Sequence, residues 1–169
     1  MTSLSEHFTL EEFTYSDTAN AKGIPNKPSS TQKKVMEHTC VYLLEPLRKL
    51  LNEHYGTTVR IIITSGFRSL ALNKAVGGAA SSEHLLGQAV DIRAEKNING
   101  RWVLVPYTEL YDMIKYWVRN GDISVNQCIL EKSGQTTWVH ISHSSAGRTR
   151  DKREFLTYKN GSYVLDCRI

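Results

Sequence analysis

Through the first 28 residues apolar positions are scattered, and Pro25, Asn26, Pro28 and Ser29 interrupt the chain. Residues 1–28 therefore read as an irregular arm with one short helical piece around Leu10–Phe13. From Ser30 the pattern changes. Val35, Val41, Leu44, Leu47, Leu50 and Leu51 recur at three-to-four spacing as far as Tyr55, which predicts a helix begun by Ser29 or Ser30 and stopped by Gly56. Pro46 lacks a backbone donor, so it predicts a kink or a split inside that helix. The β-branched run Thr57–Ile63 predicts a strand, and residues 69–76 have helical composition up to Gly77-Gly78. A loop over 77–83 leads to a strand over Ala89–Arg93, a turn over residues 97–100 and a further strand over Arg101–Pro106. Pro106 opens a helix over 107–119 that ends at Asn120-Gly121. Residues 126–131 and 136–142 read as the arms of one hairpin, and 154–166 as a second around Asn160-Gly161.

No repeat, linker or low-complexity tract divides this pattern. It predicts a single α+β domain: a small antiparallel sheet with helices packed on it, residues 29–169 forming the main body and the 1–28 arm belonging to it. A chain of 169 residues is long enough for one sizeable core and short for two. Its net charge of +4 would favour a polyanionic partner. The basic residues are nevertheless scattered, the densest clusters being Lys33-Lys34 and the acid-interrupted run Arg148–Arg153, so a solvated surface is the preferred reading and no nucleic-acid partner is expected. Cys40, Cys128 and Cys167 are odd in number and lack C-x-x-C spacing, which argues against a disulfide framework or a thiolate metal site. No apolar run approaches a membrane span, and Met1–Phe8 shows no signal-peptide pattern.

The chemistry concentrates in two strings. Residues 82–91 read SEHLLGQAVD and residues 138–142 read WVHIS. His84, Asp91 and His140 form a nitrogen–oxygen donor set of the kind a catalytic zinc takes, three protein ligands leaving one position open. Asp91 sits among apolar residues, and an ionised carboxylate is costly to bury unless it is paired or binds a metal. His7, His38 and His54 read as structural or surface residues, and His143 falls on the opposite strand face from His140. Arg68, after Ser65-Gly66-Phe67, could hold a peptide carboxylate or a developing oxyanion, or be paired structurally with a nearby acid. Ser82 could bond substrate or cap a turn, and Trp138 reads as core packing.

These residues resemble the zinc D-Ala-D-Ala carboxypeptidase and L-alanyl-D-glutamate endopeptidase family, whose metal centre is shared in outline with the hedgehog signalling domain. The family pattern S-x-H-x-x-G-x-A-x-D, followed by a strand ending in W-x-H, is met by Ser82, His84, Gly87, Ala89 and Asp91, then Trp138 and His140. Residues 64–69, TSGFRS, also match, with Arg68 at the position of the family's active-site arginine, and residues 8–26 resemble the lead-in of a phage and bacterial subgroup. The resemblance implies one zinc per chain held by His84, Asp91 and His140, and a monomer hydrolysing peptidoglycan stem peptides as a carboxypeptidase or an endolysin-type endopeptidase. For a chain without a visible signal it also implies phage origin or a non-Sec route to the wall. A non-catalytic zinc-containing module of the same fold is the alternative. The family often places an acid three residues before the last histidine, where Thr137 stands here; the phage-like subgroup instead carries one at the end of the preceding strand, which is Glu131. Glu131 would then be the general base, with a surface carboxylate as the other reading. Pairing of Glu131 with Thr136 across a loop of Lys132–Gln135 would put Glu131 and His140 on one face. Pairing with Thr137 would set them apart.

Overall fold

A computed structural model describes residues 1–144 and 150–169; Arg148 and Thr149 of the second basic cluster lie outside the described residues. The arm is more regular than its sequence suggests. It holds two helices, α1 (Leu10–Thr14) and α2 (Asp17–Lys22). α1 opens on a capping box between Thr9 and Glu12, and Ser16 caps α2 by accepting from the Ala19 N–H at 3.2 Å. Phe8 and Phe13 of this arm are buried in the core.

The long helical segment is split, and the split is gentle. α3 (Ser30–Thr39) passes through a π-turn (Cys40–Leu44) into α4 (Glu45–Tyr55). The Glu45 N–H bonds back to the Cys40 carbonyl, five residues earlier, and Pro46 falls in the first turn of α4, just past this widened turn. Proline is thus absorbed by a widened turn.

Beyond Tyr55 the elements are β1 (Val59–Ser65), α5 (Leu70–Ala75), a 3₁₀ turn (Glu83–Leu86), β2 (Ala89–Ile98), β3 (Arg101–Leu104), α6 (Tyr107–Asn120), β4 (Gln127–Ser133), β5 (Thr136–Ser142), β6 (Glu154–Lys159) and β7 (Ser162–Arg168). Together the seven strands form one sheet in the order β1-β2-β5-β4-β6-β7, with β3 continuing the β5 edge of β2. This sheet is mixed, not purely antiparallel as the sequence predicts, because β6 runs parallel to β4. Its inner face buries Val90, Ile92, Ala94, Val139, Ile141, Cys128 and Phe155 against Leu43, Leu44, Leu47 and Leu51 of the split helix and Leu110, Ile114 and Val118 of α6. All three cysteines are free, Cys40 and Cys128 buried. Among the described residues no helix is long and apolar enough to cross a membrane.

Register sets the other face. Asp91 lies opposite His140, His140 opposite Ile129, and Glu131 opposite Trp138. The β4–β5 hairpin turns on two residues, Gly134-Gln135, rather than on the four-residue loop that pairing of Glu131 with Thr136 would need. That register differs from the expected one by two residues. An even shift preserves parity, so Asp91, Ile129, Glu131, Trp138 and His140 all project from the face opposite the core.

Candidate metal centre

Three segments meet over this face. β2 carries Asp91, β5 carries His140, and the 3₁₀ turn brings His84 down from the side. The turn is built locally: the Ser82 hydroxyl caps it by accepting the His84 N–H at 3.3 Å. Distant parts of the chain hold it in place, since Gln32 of α3 donates to the Leu85 carbonyl at 2.9 Å and Thr39 to the Gly87 carbonyl at 3.1 Å.

His84, Asp91 and His140 are all buried, and one ligating atom of each lies within 4.8 Å of the others. His84 Nε2 is 3.4 Å from Asp91 Oδ1, and His140 Nδ1 is 3.0 Å from the same oxygen. Ligands about 2 Å from a zinc ion at tetrahedral angles stand about 3.3 Å apart, so these spacings suit that ion. The tautomer of His84 supports the same reading. Its Nδ1 lies 2.7 Å from the Gly66 carbonyl, which can only accept, so Nδ1 carries the proton and Nε2 presents a lone pair to the Asp91 oxygen. Burial pushes His84 toward the neutral form, although the Asp91 charge acts against it. A lone pair facing a carboxylate oxygen is relieved by a shared cation.

Burial also opposes charge on Asp91, but the imidazoles of His84 and His140 beside it, the second hydrogen-bonded to it, outweigh burial and hold the carboxyl well below the usual carboxylate range. In His140 burial works against the charged form too, and the hydrogen bond and charge of Asp91 override it, raising its pKa. Metal uptake at this site must displace that proton.

Arg68 closes one side. Its Nη2 is 3.3 Å from Asp91 Oδ2, Nε and Nη2 both donate to the Ser65 hydroxyl, and its backbone N–H donates to the His84 carbonyl at 3.1 Å. The structural pairing considered for Arg68 is therefore present, and the guanidinium still lines the cleft above the three ligands. That cleft has a volume of about 530 Å³. Glu131 lines it from β4, and burial raises its pKa, with the Asp91 charge adding to the effect and His140 and Arg68 opposing it. Trp138 is half-buried in the cleft wall and lies outside the hydrophobic core, contrary to its reading as core packing. On the other side of the sheet His143 is buried beside Asp151, at 3.7 Å, and against the rings of His38 and Tyr42.

Sequence reasoning missed several lining residues. Glu83, Gln127, Ile129, Leu156 and Tyr163 reach the cleft as well. The face parity of β4 could have suggested Gln127 and Ile129. Nothing in the local pattern announces Leu156 or Tyr163.

A buried His-Asp-His group at the base of an open cleft, on the face of the sheet opposite the core, is a site that could hold one metal ion with room for a substrate above it. The model of the Peptidase M15 family matches residues 6–113, well over half of the chain, and the chain belongs to that family. Membership implies a zinc metallopeptidase, and the His-Asp-His group fits a zinc site. The matched residues include Arg68, Ser82, His84 and Asp91; Glu131 and His140 lie beyond them. No curated protein matches the chain.

Proposed function

We propose that this protein hydrolyses peptide bonds in peptidoglycan stem peptides, with His84, Asp91 and His140 holding one zinc ion. The observation that supports the zinc assignment is the buried group itself, with His84 Nε2 at 3.4 Å and His140 Nδ1 at 3.0 Å from one Asp91 oxygen under an open cleft. The peptidoglycan substrate rests on family membership and on the match of residues 82–91 to the pattern of wall peptidases.

Zinc bound there supplies a Lewis acid and lowers the pKa of a bound water toward ~7. Peptide hydrolysis also needs a group that takes a proton and gives it back. We assign that role to Glu131, supported by its position on the ligands' sheet face and in the cleft wall and by burial, which raises its pKa. It would take the proton of the attacking water and return it to the leaving amine. Arg68, fixed by Ser65 and Asp91, would hold a peptide carboxylate or stabilise charge developing on the scissile carbonyl oxygen. Ser82 shapes the turn that carries His84, and from the cleft wall it would also contact bound peptide.

Incubation of the zinc-loaded protein with muropeptides, read by mass, tests this. Release of D-alanine would show a carboxypeptidase and larger fragments an endopeptidase. Intact muropeptides after incubation with protein carrying one zinc per chain would refute the proposal.

A further inference from the structure

The cleft over the metal centre has two unlike walls. One is the loop after α5, where Gly77, Gly78 and Ala79 offer little beyond backbone. Buried Asn73 clamps this loop: its backbone carbonyl accepts the Gly78 N–H at 2.8 Å and its side-chain Nδ2 donates to the Ala79 carbonyl at 2.9 Å. The other wall is made of side chains on the sheet, Ile129, Trp138, Leu156 and Tyr163.

Tyr163 stands apart among them. It comes from β7, some way beyond the residues the family match covers, and is 56% exposed. Register explains how it reaches the site. His140 lies opposite Ile129, Ile129 beside Leu156, and Tyr158, on the same face as Leu156, opposite Tyr163, so one face carries the series from the metal centre to β7. The Tyr158 and Tyr163 rings meet at 4.6 Å, a cross-strand aromatic pair that holds Tyr163 over the cleft.

We propose that Tyr163 is a substrate-contacting residue of the peptidase site, its hydroxyl donating a hydrogen bond to a carbonyl or carboxylate oxygen of peptide held between Arg68 and Glu131, and its ring forming the wall opposite the loop. The inference rests on the peptidase reading above. Electrostatics agree with the geometry. Burial raises the Tyr163 pKa first, the charges of Glu131, Tyr158 and Asp91 raise it further and Arg68 opposes, so the phenol keeps its proton and stays a donor. A peptide in this cleft would run between a rigid backbone wall and an aromatic one.

Tyr163→Phe keeps the ring and removes only the hydroxyl; Tyr163→Ala removes both. Zinc content and melting temperature should stay at wild-type values in Tyr163→Phe. Its kcat/KM on muropeptide should fall roughly tenfold, the loss of about one substrate hydrogen bond, with a further fall in Tyr163→Ala. Binding of uncleaved muropeptide to zinc-loaded Glu131→Gln protein should weaken by a similar factor when Tyr163→Phe is added, a readout that a merely structural tyrosine would not move. Wild type that cuts muropeptide while both Tyr163 variants cut and bind equally well refutes this inference alone. Wild type that neither cuts nor binds muropeptide refutes it together with the proposed function.

Discussion

The carbonyl of Gly66 is the point at which the arm and the metal centre meet, and Gly66→Ala tests that junction. A Cβ at this position would stand 2.5 Å from the Phe13 carbonyl oxygen, 2.8 Å from its Cα and 3.0 Å from its carbonyl carbon. All three are backbone atoms, so no side-chain rotation relieves the clash. Comfortable contact for carbon is about 3.5–4.0 Å, so the arm and the end of β1 must part by about 1 Å. Overpacking of this kind costs about 1–3 kcal/mol. The Phe67 N–H, bonded to the same Phe13 oxygen at 2.7 Å, loses its partner in that movement and adds about 1 kcal/mol. The expected loss of stability is therefore about 2–4 kcal/mol. The second effect falls on the metal. If the same displacement carries the Gly66 oxygen away from His84 Nδ1, now at 2.7 Å, the contact passes the limit of a hydrogen bond and His84 loses the group that fixes its ring and tautomer. Loss of such a partner costs about 10–100-fold in metal affinity. Urea denaturation of the zinc-free protein measures the first effect, and competition with a chromophoric chelator measures the second. A Gly66→Ala protein with wild-type stability and wild-type zinc affinity would refute the packing and the ligand-orienting argument together.

Other substitutions separate the roles assigned above. His84→Ala and His140→Ala should each drop zinc from about one per chain to a small fraction, with activity lost in step; metal analysis showing either variant fully loaded removes that residue from the ligand set. Glu131→Gln should keep its zinc while turnover falls on the order of 10²–10⁴-fold, and a wild-type rate would exclude Glu131 as the base. Arg68→Lys should lower kcat with KM nearly constant if the arginine acts on developing charge. It should raise KM if the arginine clamps a terminal carboxylate, and equal cleavage of free-acid and amidated peptides by wild type excludes the clamp. Glu45 binds the arm, accepting from the Ser5 hydroxyl at 2.6 Å and the His7 N–H at 2.8 Å. Burial alone would raise its pKa, but these bonds and His7 outweigh it and hold the pKa below 4.5. Because the folded pKa is depressed, this stabilisation is fully present above pH 4.5 and is lost as pH falls through the folded value. Glu45→Ala should therefore cost about 1–3 kcal/mol at neutral pH and progressively less in acid; a pH-independent difference in unfolding free energy would contradict the assignment.

Where a signal is local, the chain declares its structure. The helix Tyr107–Asn120 follows from its apolar spacing and the Pro106 and Gly121 that bound it, and two of the three candidate ligands, His84 and Asp91, follow from a ten-residue string because the 3₁₀ turn and β2 are adjacent in the chain. What depends on a distant partner is hidden. The parallel contact of β6 with β4 leaves no mark in either strand, so Leu156 and Tyr163 could not be placed in the cleft. Trp138 was legible by contrast: two residues before His140 in one strand, it shares the ligand's face by alternation, away from the core. The hairpin register was closer to legible: Gly134 has φ +59°, the conformation demanded by the first central position of a two-residue hairpin turn, and a glycine there is a recognisable sign of one. α2 escaped because its six residues, DTANAK, bury only Ala19 and so carry no apolar period.

The stapling of the arm by Asn26 bears on how the molecule is made. Asn26 donates to the Thr14 carbonyl and to the Phe67 carbonyl, 41 residues further on, and accepts from the Ser69 N–H, 43 residues on. These partners are made after the arm, which must wait for the end of β1 before Asn26 can dock on them. His84 follows β1, but its co-ligand His140 is paired through Asp91 across a further 49 residues. At about 5–20 residues per second, those residues take roughly 2–10 s to synthesise. During that interval the nascent chain presents one imidazole and one carboxylate, an incomplete donor set that zinc could leave as readily as it entered. On the proposed ligand set, zinc would be captured only after β5 has emerged and closed the sheet, and the arm, made before β1, would already be in place against Gly66 when it does.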